Sequence, residues 1–531
     1  MLEIDAPVIP ERQAMFVPIE VLGRCRQFNG NSLNVRDFTR HKLTHVGGKD
    51  YVVLPWTMDA LRKLALHDVF VPGPIRWEYH WPSKYPRPLD HQVVTADFLT
   101  QNPRAFVLNS IGTSKTLSAL WAADYLMCRG EIKKVLIAST LSTLDRVWDL
   151  EIFCNLFGRT KTILHGSKEK RLEGLKKDVD YYITNHDGLK VLEKELIEAD
   201  FDLVIVDEGA EFRNQKTALW RACYNVCGLH TNRWLWWMTG SPMPKAPTDV
   251  WAQAKIVRPD TVPKYFRRFR NQVMVMVPLS QYKWVPVKGY EQIVYDTLRP
   301  VIRYTRDVCD LPADYVKDIP CQMSPEQTRA YEHMANSLVV EVNNEVITAV
   351  NEGVKLGKLL QIACGAIYTR EGKVMPLNPE PKFEQLDEMF EFAERKLIVF
   401  APFKYCLPMI AERYRARGIK VTTISGDTPT HARAETFASF QEGDLEMIVA
   451  HPKCMAHGLT LTRSNVIVWW APVDDYAIYD QACGRIKRPG QTKEQFINHL
   501  ASSKVEMEVY RRLRTKEKIQ GLVLELFKKT S

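Results

Sequence analysis

The 531-residue sequence lacks any apolar run long enough to cross a bilayer. Its longest stretches, such as NVIVWWAPV from Asn465, fall well short of the roughly 20 residues a spanning helix needs. No membrane association is therefore expected. The opening MLEIDAPVIPERQ has acidic residues and a proline where a secretory signal would carry a basic region and an apolar stretch, so a cytoplasmic location is expected. Regular cysteine spacing is missing as well. The 11 cysteines are scattered, which argues against a disulfide framework and for reduced core thiols. Cys223, Cys227 and His230 in CYNVCGLH supply only three candidate metal ligands, and helical spacing equally explains cysteines packed in a core. There is no low-complexity tract, no short internal repeat, and no separate acidic or histidine cluster of the kind metal-dependent nucleic-acid cleavage requires.

What is present is length, modest positive charge and a repeated pattern. A chain of this size exceeds what one core organises, so two or three domains are expected. The formal charge of +9 leans toward polyanionic partners, because neutralising phosphates releases counterions. After a first block, residues 1–85, that carries no recognisable site chemistry, the runs KVLIAST, DYYITN, FDLVIVDE and RWLWWMTG alternate with helical stretches, which is how a parallel α/β sheet reads. A second alternation, KLIVFAPF, GIKVTTISG, LEMIVA and NVIVWWAP, begins near Lys396. The expected organisation is an N-terminal accessory domain (1–85), a first sheet domain (86–285), a helical insertion and connector (286–392), and a second sheet domain ending in amphipathic helices (393–531).

RAFVLNSIGTSKTLSALW reads as strand, short turn and helix, the context a phosphate-binding loop requires. In such a loop backbone N–H groups cradle phosphates, a lysine reaches the terminal ones, and the next hydroxyl ligates magnesium. Gly112, Thr113, Ser114, Lys115 and Thr116 would take those parts. Ser114 stands where glycine is usual, and an ordinary helix start capped by Ser114 is the competing reading of this turn taken alone. Some ninety residues on, FDLVIVDEGAEF sets Asp207 and Glu208 at the end of an apolar strand, where two carboxylates are costly without a partner. Asp207 suits a magnesium ion bound with ATP, and Glu208 suits the water that attacks the γ-phosphate.

In this order the segments resemble the motifs of Swi/Snf-type ATPases of helicase superfamily two, from about Pro86 to Leu500. The resemblance implies an α/β fold of two tandem RecA-like lobes. It also implies that Gln92 of PLDHQ reads adenine, and that Ser139 and Thr140 of LIASTLSTLDRVW touch nucleic-acid phosphates, as do Asn185 and His186 of YITNHDGL. Thr239 and Ser241 of WWMTGSP would couple hydrolysis to lobe movement. In the second half MAHGLTLTRSN, with Thr460, resembles the family's GLNLT segment, and DQACGRIKRPGQ resembles its QxxxRxxRxGQ signature. There Arg488 would be the arginine finger, Arg485 a second phosphate or positioning contact and Gln481 a helper; three residues apart on a helix, the two arginines would share a face. RYTRDVCDLPADY and MSPEQTRAYE resemble a further Swi/Snf segment that ordinary RNA helicases lack.

The function implied is an ATP- and magnesium-dependent translocase on duplex or forked DNA, working as a monomer in a bacterial or phage-infected cell. The alternative is a DNA-binding scaffold whose turnover is weakened by Ser114 and the altered DEGA segment. A strand-separating helicase is a further alternative, opposed by RIKRPGQ and the helical insertion.

Overall fold

The computed structural model describes residues 2–3, 8–10, 13–20, 38, 40–67, 69–82, 88–230, 232–277, 284–309, 311–337, 339–342, 345–348, 352–369, 371–455, 460–488 and 490–515. The chain divides into two compact units at Val308/Cys309.

The first unit begins with a small antiparallel sheet of Val8–Ile9, Ala14–Pro18, Lys49–Pro55 and Lys42–Val46, in that spatial order. Helix Met58–Ala65 covers it, and the two share a core of Met15, Val17, Val52, Leu54, Trp56, Leu61 and Leu64. Buried polar contacts join this module to the rest of the unit. Arg62 donates to the Thr100 carbonyl and stacks over Trp234, while the buried Asp97 accepts from the Gly73 amide and pairs with Arg76.

The main sheet of the first unit has strands β1 (Arg104–Val107), β2 (Val135–Ser139), β3 (Lys161–Leu164), β4 (Tyr181–Asn185), β5 (Leu203–Val206), β6 (Trp234–Met238) and β7 (Val301–Ile302), all paired in parallel in the order β7-β1-β6-β5-β2-β4-β3. Helix α1 (Asp90–Gln101) precedes β1 and helix α2 (Lys115–Cys128) follows it. The strands' apolar runs are continuous because both faces of the sheet are covered. Alternate residues feed two cores: Phe106, Leu136, Val204 and Trp237 on one side, Val107, Ile137, Ile205 and Trp236 on the other.

The second unit repeats the plan with β8 (Asp314–Pro320), β9 (Leu397–Phe400), β10 (Val421–Ile424), β11 (Met447–Ala450), β12 (Val466–Trp469) and β13 (Gln495–Ala501), parallel in the order β8-β13-β12-β9-β11-β10. Here too the strands feed two cores, with Val399 and Val468 on one face and Phe400 and Trp469 on the other. Two tandem RecA-like α/β sheets are thus present.

The boundaries between them differ from the sequence expectation. The stretch 286–392 is not one insertion: β7 belongs to the first sheet and β8 to the second, so the crossing falls between 303 and 313. What lies between β8 and β9 mixes helices Pro325–Ser337 and Glu352–Ala363 with two short hairpins, around a separate small core of Met334, Leu359, Ile362 and Leu377. Helix Glu380–Phe392 packs into the second sheet's core through Phe383, Leu386 and Phe390. The period-two strands flanking these helices are too short to register against a helical background. The C-terminal amphipathic stretch is helical as far as residue 515, and 516–531 lie outside the described residues.

Candidate phosphate site and arginine segment

Because every pair in the first sheet is parallel, the loops after β1, β2, β4, β5 and β6 all leave from one edge. That edge is where such sheets bind ligands. It collects Gly112–Thr116, Ser139–Thr140, Asn185–His186, Asp207–Glu208 and Thr239–Ser241.

The turn after β1 has Gly112 at φ 91° and Ser114 at φ 54°, ψ 47°. Ser114 is therefore left-handed, a conformation that costs a non-glycine residue about 1–2 kcal/mol. It makes no side-chain cap to the helix, so the helix-cap reading of this turn fails. Lys115 Nζ folds back to the carbonyls of Asn109 (2.8 Å) and Ser110 (3.2 Å). Thr113 Oγ1 donates to Ser110, and His91 Nε2 donates to the Thr113 carbonyl at 3.1 Å; burial lowers the His91 pKa, which keeps the ring neutral. Thr116 lies in the first turn of α2. Gln92 is buried, and its Oε1 accepts the Leu89 amide at 2.8 Å, so that oxygen caps α1 instead of facing a base as the sequence reading expected.

At the end of β5 the Asp207 carboxylate accepts from Ser139 Oγ (3.0 Å), Trp148 Nε1 (3.2 Å) and the Glu208 amide (3.0 Å). Among the described residues it meets these neutral donors and no ion-pair partner, so it could serve as a ligand to a divalent cation. Glu208 is left-handed at φ 50°. Gly209 lies against Trp237: a Cβ there would sit 2.0 Å from the indole Nε1. Glycine at position 209 thus has a steric reason.

Two residues expected to touch nucleic acid are turned inward instead. Ser139 is fully buried and serves Asp207 and Thr143. His186 is buried, donates Nε2 to the Asp207 backbone carbonyl at 2.8 Å and packs edge-on to Phe212; burial lowers its pKa. Ser139 ends β2, which runs beside β5, while His186 follows β4 on the far side of β2 and reaches across to the Asp207 carbonyl. Thr140 bonds Thr143, and Asn185 accepts from Arg171. Thr239 Oγ1 accepts the Ser241 amide. Gly240 lies against the phosphate turn, where a Cβ would be 3.6 Å from the Asn109 oxygen.

In the second sheet helix α3 (Tyr476–Cys483) ends one residue before Gly484, so Arg485 and Arg488 lie past it and do not share a helical face. Arg485 is buried and donates Nε to the Gln481 carbonyl at 3.0 Å. Arg488 is half-buried, with Nε on Gly484 O (3.3 Å) and Nη1 on the exposed Thr460 Oγ1 (3.4 Å). The expected pair of outward arginines is therefore one structural and one accessible residue. The helix ends before the first of them, which a three-residue spacing cannot foretell. Gln491 Nε2 ties the turn to Ser464 O, and Lys487 pairs with Asp314 on β8. Residues 456–459 of the MAHGLTLTRSN segment lie outside the described residues.

His91, Trp148, Gly209, Arg303 and Arg306 take part in this site without having been singled out from sequence. For the two arginines a signal existed, since both fall in RYTRDVCDLPADY. His91 and Trp148 lie within PLDHQ and LIASTLSTLDRVW as well, but spacing alone does not say that the ring reaches the Thr113 carbonyl or the indole the Asp207 carboxylate.

The arrangement is that of a parallel α/β core with polar loop residues gathered at one sheet edge. A family model describing the SNF2-related domain matches residues 91–364, and one describing the helicase conserved C-terminal domain matches 381–490. The chain belongs to the SNF2-related family. It is 24% identical over 473 residues to putative protein p41 of Acyrthosiphon pisum secondary endosymbiont phage 1, covering 84% of this chain and 99% of that protein. It is 23% identical to the nuclear protein STH1/NPS1 of Saccharomyces cerevisiae across 78% of this chain, and spans only 33% of that relative's length. A solved Sulfolobus solfataricus SWI2/SNF2 ATPase core in complex with dsDNA aligns over 83% of this chain and 94% of that one at 19% identity and a TM-score of 0.39. No helix among the described residues is long and apolar enough to cross a membrane.

Proposed function

We propose that this chain hydrolyses ATP to translocate along double-stranded or forked DNA. The observation that carries the reading is the convergence, on one sheet edge, of the left-handed phosphate turn with Lys115 and of the Asp207 carboxylate held by neutral donors. Thr116 and Asp207 are the residues that would hold a magnesium ion, which neutralises charge on the phosphates when bound. Lys115 exchanges its carbonyl partners for the terminal phosphates, Glu208 orients and deprotonates the attacking water, and Arg488 answers the charge that spreads onto the transferred oxygens. Gln481 supports Arg488 through the turn. Thr140, Asn185 and Thr460 are the contacts proposed for the DNA backbone, so binding should be nearly independent of base sequence and weakened by salt.

Phosphate release measured without nucleic acid and with single-stranded, forked and duplex DNA, beside Lys115→Ala, tests this. Stimulation by duplex or fork that vanishes in the variant is the expected result; background rates with every DNA, despite binding, would sink it. The latter outcome supports a second reading, a DNA-binding scaffold with weakened turnover, for which the left-handed Ser114 is the motivating observation.

A further inference from the structure

Beside the phosphate turn, the parallel ladder of β7 does not stop at the strand. The Phe106 amide donates to Pro300 O (3.0 Å), the Leu108 amide to Ile302 O (2.9 Å), and then, inside the turn itself, the Ser110 amide to Tyr304 O (2.8 Å). The Tyr304 amide returns a bond to Asn109 Oδ1 (2.9 Å), and Asn109 Nδ2 donates to Thr95 on α1. Arg303 Nη1 donates to Leu108 O at 2.6 Å and Arg306 Nε to Ile111 O at 3.1 Å. With Lys115 on Asn109 and Ser110, the carbonyls of Leu108, Asn109, Ser110 and Ile111 are all held by cationic side chains. His91, whose ring lies 5.6 Å from that of Tyr304, holds Thr113 O.

A phosphate loop works by aiming its N–H groups at an anion, which requires its carbonyls to point elsewhere and stay there. Lys115 must give up its two carbonyls to reach phosphate. Arg303 and Arg306 need not, because their bonds go to the flanking carbonyls of Leu108 and Ile111. The same residues open the connector, which runs on to β8 at Asp314, so the loop and the start of the connector are one hydrogen-bonded piece.

We propose that Arg303 and Arg306 are positioning residues that brace the phosphate loop from the connector. They hold it in its anion-accepting shape despite serine at the left-handed position, and they make the connector strand respond to nucleotide occupancy. This rests on reading Gly112–Thr116 as a phosphate loop.

The test uses the full chain and the N-methylanthraniloyl derivative of a non-hydrolysable ATP analogue, with Arg303→Gln, Arg306→Gln, Arg303→Lys, Arg306→Lys and Lys115→Ala. Each glutamine variant is expected to weaken analogue affinity roughly tenfold, the loss of one charged hydrogen bond, while turnover at saturating ATP changes little and each lysine variant recovers part of the affinity. Glutamine variants that bind as the unaltered chain does, while Lys115→Ala fails to bind, would overturn the brace and leave the phosphate loop standing. An unaltered chain that is folded yet binds no analogue overturns both. Should a glutamine variant fail to fold, hydrogen exchange on the unaltered chain decides: analogue binding should slow exchange at the Ser110 and Tyr304 amides together, and slowing at Ser110 alone refutes the coupling.

Discussion

The turn before Lys115 in the first sheet and the segment around Arg488 in the second are both short loops bearing cations proposed to act on ATP, yet they are held in opposite ways. Around Lys115 the motif residues hold one another: Ser139 and Trp148 hold Asp207, His186 holds its backbone, and Arg303 and Arg306 hold the turn. Around Arg488 the support is a single turn hung from the end of α3, with Arg485 sunk into it and Gln491 closing it. A parallel sheet brings many strand ends to one edge and lets neighbours brace each other. A post-helical turn has no such row of strand ends beside it, and its successive arginines meet different fates.

The largest effect expected from that difference separates the two arginines. Arg488→Ala should cut DNA-stimulated turnover about a thousandfold or more with the thermal midpoint unchanged. Arg485→Ala should instead destabilise the second unit by about 2–4 kcal/mol, through the lost packing and hydrogen bond of a buried side chain. Denaturation and steady-state rates measured on both variants would break the comparison if the two behaved alike.

On the first sheet, Gly209→Ala drives a methyl into the buried Trp237 ring and should cost about 3 kcal/mol, carrying Asp207 and Glu208 out of line. A urea midpoint equal to that of the unaltered chain would mean the indole has room to move.

Each unit also has a buried imidazole. His186 serves the Asp207 backbone, while His499 donates Nδ1–H to the Asp318 carboxylate (2.8 Å) and accepts at Nε2 from the Tyr479 hydroxyl of α3 (2.9 Å). Burial lowers both pKa values, so the folded chain takes up fewer protons than the unfolded one as pH falls. Their contribution is complete above about pH 6.5 and is lost as pH drops toward the depressed folded values, by up to about 1.4 kcal/mol per pH unit for each ring. Urea midpoints between pH 7.5 and 5.5 check the sign, and replacing His186 or His499 by phenylalanine should flatten part of the slope.

Smallest is the relief at the turn. Ser114→Gly removes about 1 kcal/mol of left-handed strain and should tighten analogue binding about fivefold. Unchanged affinity would show that the arginine brace already absorbs that strain.

Much of this molecule is determined by the sequence alone. Apolar runs that end in Asp207, or break into a turn before Lys115, state parallel strands and the sheet edge where their polar ends collect, because a strand buried on both faces tolerates polar residues only at its ends. The order of the motifs states two lobes of the SNF2-related kind. Other features were decided by tertiary structure. Whether Ser139 and His186 look outward or toward Asp207, which arginine of the signature is exposed, and that Gly209 exists to admit Trp237 all depend on which strand lies next to which. The brace on the phosphate loop is of this kind too. Arg303 is nearly two hundred residues from Leu108 in the chain, and only the insertion of β7 beside β1 makes them partners. Periodicity and spacing report a residue's own element; they carry no information about the carbonyl that another element will present to it.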